Sequence, residues 1–329
     1  MKPINQNPQL KYQSCFEAII DRIDNETKTL TNRDLLEITR EVADFLNGEI
    51  NPHFCHEIAE TALNLLIQRK YAKNLFNEGK PSDIVSSLIK PLSTRLPTQT
   101  WRSREMAARQ QFSTPPVVAY LLVYLLNLNG GEQVLEPSAG TGNLAVWTSG
   151  NGIKTHTNEI DSRRCFLLEQ IGFAPTSFNA QFINDFLPPD CAPDCVLMNP
   201  PFSSSGGRTK NNSSKFGFRH ARSALERLKK GGKFGIILGA GGGLDTKTGN
   251  DFWCKLPDRI EVSTVIKIDG REYARYGTTV DINLIIGRKF FELQKTDWNQ
   301  ALNKITCFSA NTAKEAFAKV DKFNLSPNR

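Results

Sequence analysis

From residue 115 onward, short apolar runs alternate with amphipathic stretches, and this alternation restricts the fold more than any other feature of the chain. Residues 115–126 have helical spacing with proline at the start. Gln133-Val134-Leu135-Glu136 reads as a strand that ends in a glycine-rich turn. Residues 153–158 predict a second strand, followed by a helix near 162–171. Cys195-Val196-Leu197-Met198 predicts a buried strand. Residues 220–230 predict a helix closed by Gly231-Gly232, and residues 234–238 a further strand. Residues 264–268 and 282–286 look like a final pair. Such alternation builds a doubly wound α/β sheet.

Residues 1–105 have a different character and predict a small α-helical N-terminal region, leaving 106–329 as the α/β domain. Thr31-Asn32-Arg33-Asp34 is a capping pattern ahead of Leu35, Leu36, Ile38, Val42, Phe45 and Leu46 at helical spacing, with Gly48 as a stop. A second helix is expected over about 52–70, with Ile58, Ala62, Leu65 and Leu66 inward. A shorter one is expected near 83–89, and Pro91 and Pro97 mark a connector.

The 329 residues are 39% hydrophobic and 23% charged, which fits a globular, soluble protein. No apolar run reaches membrane-spanning length, and the N-terminus lacks the features of a signal peptide. Seven cysteines at irregular spacing predict free thiols in a reducing, cytoplasmic compartment. The formal charge of +7 is unevenly placed. Residues 1–105 balance 14 basic against 14 acidic residues, so the whole excess lies in 106–329. Residues 203–233 alone hold nine basic residues against one acid, Glu226. That segment points to a polyanionic partner, most simply nucleic acid. Arg208, Lys210, Lys215 and Arg219 are its candidate phosphate contacts.

Two kinds of motif carry chemistry. In Glu136-Pro137-Ser138-Ala139-Gly140-Thr141-Gly142-Asn143-Leu144 the glycines let the backbone approach a ligand at a strand end. The spacing from Gly140 to Ala145 also fits a dinucleotide loop, so this segment alone does not separate a nicotinamide cofactor from S-adenosylmethionine. No Lys-Ser/Thr pair follows, which excludes a Walker-type phosphate loop. Glu159, in Asn158-Glu159-Ile160-Asp161, suits two ribose hydroxyls. Asp185 and Phe186 suit an adenine amino group and ring face. Together these segments describe an adenosine-shaped site.

The second motif is Asn199-Pro200-Pro201-Phe202, directly after the Cys195–Met198 run. Its prolines fix φ and remove two backbone donors. The Asn199 side chain and the Pro200 carbonyl offer acceptors, and Phe202 offers a flat face. Such a corner suits a planar ring bearing an exocyclic amine.

The order of these segments resembles the S-adenosylmethionine-dependent DNA adenine-N6 methyltransferases of the gamma arrangement, in which the cofactor motif precedes the catalytic one. Gln111-Phe112-Ser113-Thr114-Pro115-Pro116 is similar to that family's element for the methionine end of the cofactor, and this implicates Thr114. The segments 220–225, Phe252-Trp253 and 273–281 look more narrowly like methyltransferase domains associated with strawberry-notch-type helicases.

The resemblance implies a Rossmann-like class I methyltransferase domain with a mostly parallel seven-stranded sheet and S-adenosyl-L-methionine as cofactor. Glu136, Pro137, Ser138, Ala139, Gly140, Gly142, Glu159, Asp185 and Phe186 would bind the cofactor. Asn199, Pro200, Pro201 and Phe202 would hold a flipped-out adenine, with no metal required. DNA is the implied partner, RNA or a protein glutamine amide the alternative acceptor, and an inactive DNA-recruiting subunit a further alternative. About 40 residues follow the expected last strand, too few for the family's usual recognition domain. Recognition is therefore expected from residues 1–105 or from a separate recognition or helicase chain, or else specificity is expected to be loose. His53, Cys55 and His56 lack zinc-like spacing and are expected in helix packing and at the surface.

Overall fold

The computed structural model describes residues 8–43, 52–72, 80–99, 112–150, 152–202, 215–256, 259–290, 292 and 297–323. Its centre is a seven-stranded sheet. The strands are β1 (Gln133–Glu136), β2 (Lys154–Thr157), β3 (Cys195–Met198), β4 (Lys233–Gly239), β5 (Ile260–Ile268), β6 (Ile282–Lys289) and β7 (Thr306–Ala310). They lie in the order β2-β1-β3-β4-β6-β5-β7. Only β6 runs antiparallel to its neighbours, so the sheet is mostly parallel.

Both faces of the sheet are covered, and successive residues divide between two apolar clusters. Val134, Cys195, Leu197, Ile237, Ile266 and Leu284 belong to one. Leu135, Val196, Met198, Ile236, Val265 and Ile285 belong to the other. This is the period of two that a strand imposes when neither face meets water. The first cluster continues through the helix Pro116–Leu126 into the N-terminal helices, including Phe16, Ile19, Ile58 and Leu66. The second holds Phe218, Ala221 and Leu225 of the helix Lys215–Arg227.

The N-terminal part is helical, as expected. Thr31 and Asp34 form a reciprocal capping box at the helix Asn32–Ile38. The helix Pro52–Leu66 is buried on all sides, and its turns continue through Ile67–Tyr71. The expected surface position of His53 and His56 is not observed; both are buried. Turns of helix run unbroken from Pro81 through Arg95, longer than expected: they are π-helical over Val85–Ile89, and Pro91 falls within them without ending them. Phe45, Leu46, Gly48 and the boundary near residue 105 lie outside the described residues.

The sheet does not end with the pair expected as last. β7 adds to β5 in parallel, and the helix Ala313–Lys322 packs behind it through Ala313, Ala316, Phe317 and Val320. β7 escapes pattern reading because it is an edge strand that fully buries only Ala310. β5 begins four residues earlier than expected. An irregularity between Val262 and Thr264 breaks the alternation there.

Candidate active site

β1, β2 and β3 are parallel neighbours, so their C-terminal ends, and the segments singled out in the sequence, open on one edge of the sheet. After β1 the chain turns through Gly140 (φ +57°) and Gly142 (φ +93°) into a short 3-10 helix, Ala145–Thr148. Space at Gly142 is tight, since a Cβ there would lie 3.1 Å from Leu168 Cδ2 and 3.2 Å from Ile171 Cδ1. Both positions need glycine for conformation.

The acids around this turn are in different states. Glu159, just past β2, accepts the Gly140 N–H through Oε2 at 2.8 Å and the Asp161 N–H through Oε1 at 2.9 Å. It is thereby set beneath the turn. Asp161 caps the helix Ser162–Gln170. Glu136 is 2% exposed, and its Oε2 has no hydrogen-bond partner among the described residues. Burial pushes the Glu136 pKa well above the carboxylate range; an Ala145 backbone hydrogen bond offsets part of this and nearby Glu159 adds to it. Pro137 and Ala139 are buried beside it, and Ser138 Oγ lies 3.4 Å from His220 Nδ1. Burial lowers the His220 pKa to about 4, so this ring is neutral near pH 7.

Asp185 and Phe186 lie on the short helix Ile183–Phe186, and both are exposed. Phe186 stacks on Phe178, with ring centroids 5.3 Å apart, and meets Phe182 edge-to-face at 6.4 Å.

At the end of β3, Asn199 donates from Nδ2 to the Thr114 hydroxyl at 2.9 Å and, more weakly, to the Phe112 carbonyl at 3.4 Å. Its Oδ1 is buried and has no partner among the described residues. An acceptor in that state is costly unless a ligand completes it. Pro200 is buried and Pro201 half-buried. The ring of Phe202 lies against Gly239 at the end of β4, where an added Cβ would meet it at 3.2 Å. Gly217 approaches the Pro201 carbonyl, so the helix Lys215–Arg227 starts against the corner.

The N-terminal region supplies residues to this site that sequence reasoning missed. Asn64 donates from Nδ2 to the Thr141 carbonyl at 2.9 Å and to Asn143 Oδ1 at 2.6 Å. Asn143 Nδ2 donates to the Thr114 carbonyl at 2.8 Å. Glu60 accepts from the Ser113 hydroxyl at 2.6 Å and the Thr141 hydroxyl at 3.2 Å. Glu57, fully buried, pairs with Arg163 and Arg164, both at 2.7 Å. Burial alone would raise the Glu57 pKa, but Arg164, His53 and Arg163 outweigh it and hold the carboxylate ionised. The available signal was the stripe of Glu57, Glu60 and Asn64, at spacings of three and four that place them on one face of the helix.

Of the candidate phosphate contacts, Arg208 and Lys210 lie outside the described residues. Lys215 opens its helix, with no description of its side chain. Arg219 is exposed and donates to Gln181 Oε1 at 3.3 Å. Among the described residues no group of three His, Cys, Asp or Glu could hold a metal ion, and no helix is long and apolar enough to cross a membrane. All seven cysteines are free thiols.

No protein-family model matches the chain, and no curated protein sequence matches it. Solved structures do. One from Listeria monocytogenes, assigned to the class I S-adenosylmethionine-dependent methyltransferases, matches at 13% identity and TM-score 0.53 over 97% of this chain and 98% of that one. A type I restriction-modification methyltransferase subunit from Streptococcus thermophilus matches at 14% identity and TM-score 0.45, over 98% and 99%. TrmN from Thermus thermophilus matches at 20% identity and TM-score 0.40 over 57% of this chain, which spans about half (52%) of TrmN. The first of these carries the fold assignment; at TM-scores below 0.5 the other two add nothing to it. The protein has the Rossmann-like class I methyltransferase fold.

Proposed function

We propose that the protein transfers a methyl group from S-adenosyl-L-methionine to the N6 amine of adenine in DNA, acting on a base turned out of the helix. The observation that carries this reading is the Asn199 amide: Nδ2 is tied to Thr114, and the buried Oδ1 is left without a partner among the described residues. A fixed acceptor of this kind suits an N–H donor on a planar ring. The Pro200 carbonyl is the proposed second acceptor, and Phe202 the proposed stacking face. Two acceptors on one exocyclic amine draw its lone pair out of conjugation and stabilise the positive charge that grows on nitrogen.

The residues around the Gly140–Gly142 turn fit the cofactor. The turn needs glycine for a left-handed backbone, and Glu136 Oε2 is a second buried polar atom without a partner there. Glu159 would take the ribose hydroxyls, Asp185 and Phe186 the adenine, and Thr114 with residues 136–140 the methionine end. Bound there, the cofactor supplies an electrophilic methyl group. The chain's own part is to orient the amine, exclude water and hold the Asn199 carbonyl in place.

Purified protein incubated with labelled S-adenosylmethionine and with DNA, RNA or protein acceptors tests this reading. Label in the N6 position of DNA adenine, lost in Asn199→Ala, is the expected result. Label confined to RNA or protein, or DNA label that survives Asn199→Ala, overturns it.

A further inference from the structure

Between the helices Lys215–Arg227 and Lys247–Trp253 lies a groove lined by Phe218, Arg219, Arg222, Lys247, Asp251 and Lys255, with Phe252 in its floor. Arg219, Arg222, Lys247 and Lys255 are all exposed, and Asp251 is the sole acid of the lining. Phe218 and Phe252 stack at 4.4 Å to form an apolar floor, and the Arg222 guanidinium lies 5.9 Å from the Phe252 ring centroid.

The groove adjoins the catalytic edge. Its first wall begins at Gly217, which abuts the Pro201 carbonyl. Its second wall follows β4, whose last residue, Gly239, supports Phe202. A strand leaving the Asn199–Phe202 corner on this side would meet the groove.

Several cations nearby are already engaged. Lys229 pairs with Asp194, Lys233 with Glu132, Lys267 with Asp245 and Arg288 with Glu261. Arg227 and Lys289 donate to backbone carbonyls. Among the described residues, Arg222, Lys247 and Lys255 form no ion pair. Three uncommitted cations over an aromatic floor have the charge and shape of a site for a phosphodiester chain.

We infer that this groove binds the phosphate backbone of the DNA strand that carries the target base, with Arg222, Lys247 and Lys255 as the contacts. The inference rests on the proposed DNA methyltransferase reading. It assigns a track on described elements, distinct from the 203–214 segment.

The test compares wild type, the triple variant Arg222→Gln/Lys247→Gln/Lys255→Gln, and Asp251→Asn. Binding of a fluorescent DNA oligonucleotide is measured at several salt concentrations, alongside methyl transfer at saturating DNA. Each lost phosphate contact lowers the slope of log affinity against log salt by about 0.9, so a drop of roughly 2–3 is expected in the triple variant. Asp251→Asn should tighten binding, and methyl transfer at saturating DNA should persist. A triple variant that stays folded by thermal melting yet keeps the wild-type affinity and salt slope overturns the groove while leaving the reaction intact. An Asp251→Asn variant with unchanged affinity counts against it independently of folding in the triple variant. Failure of the wild type to methylate DNA at all would instead strike the underlying functional reading.

Discussion

Asn199 donates through Nδ2 to the Thr114 hydroxyl at 2.9 Å and to the Phe112 carbonyl at 3.4 Å, and the carbonyl, which can only accept, sets Oδ1 as the end left open. Thr114 is itself held, because its carbonyl accepts from Asn143, which accepts from Asn64. The orientation of the corner is therefore transmitted from the N-terminal helix Pro52–Leu66 across the glycine turn.

Replacing Thr114 by valine keeps the volume and removes the acceptor. The amide is then held by the weaker Phe112 carbonyl contact alone. Single-turnover methyl transfer should fall roughly 10–100-fold, the equivalent of one or two lost hydrogen bonds, whereas Thr114→Ser should retain most of the rate. Equal losses in both variants would assign the effect to packing rather than to the hydroxyl.

Asn64→Leu leaves the Thr141 carbonyl and Asn143 Oδ1 with one buried donor fewer. A loss of about 2–3 kcal/mol in urea unfolding is expected. Cofactor affinity, read by calorimetry, should weaken together with stability, because the same bonds hold the turn.

Gly142→Ala meets two penalties: a φ of +93° and a contact at 3.1 Å with Leu168. Strain of about 1–2 kcal/mol is expected from the backbone alone. The midpoint of thermal unfolding should fall by the equivalent of that strain or more.

Glu136 gives a signed pH dependence. Its folded pKa is raised, first by burial, above the unfolded value of 4.5. The stability linked to its proton is thus fully present below about pH 4.5 and is lost as pH rises toward the folded value. Glu136→Gln carries no such proton. Wild type should therefore lose stability relative to this variant between pH 5 and pH 8 in denaturant titrations, and parallel pH profiles would contradict the assignment.

Much of the fold was legible because strands buried on both faces and their intervening helices leave strong local patterns. The Val134–Glu136 and Cys195–Met198 runs could be read directly, as could a glycine turn after the first of them, though not the left-handed backbone at Gly140 and Gly142. β7 could not, since an edge strand buries too little to impose a pattern. Nor could the role of Glu57, Glu60 and Asn64. Their spacing shows a polar stripe on a helix, but a stripe does not name what it faces across about 80 residues of chain.

The same division holds for the site. Local chemistry determined the corner at Asn199–Phe202 and the turn at Gly140–Gly142, because proline, glycine and amide act through their own backbone and atoms. Tertiary structure alone decided that Asn199 presents its carbonyl rather than its amine. An amide is nearly symmetric in shape, and only a partner brought from elsewhere in the chain that cannot donate, here the Phe112 carbonyl, can choose between its two ends.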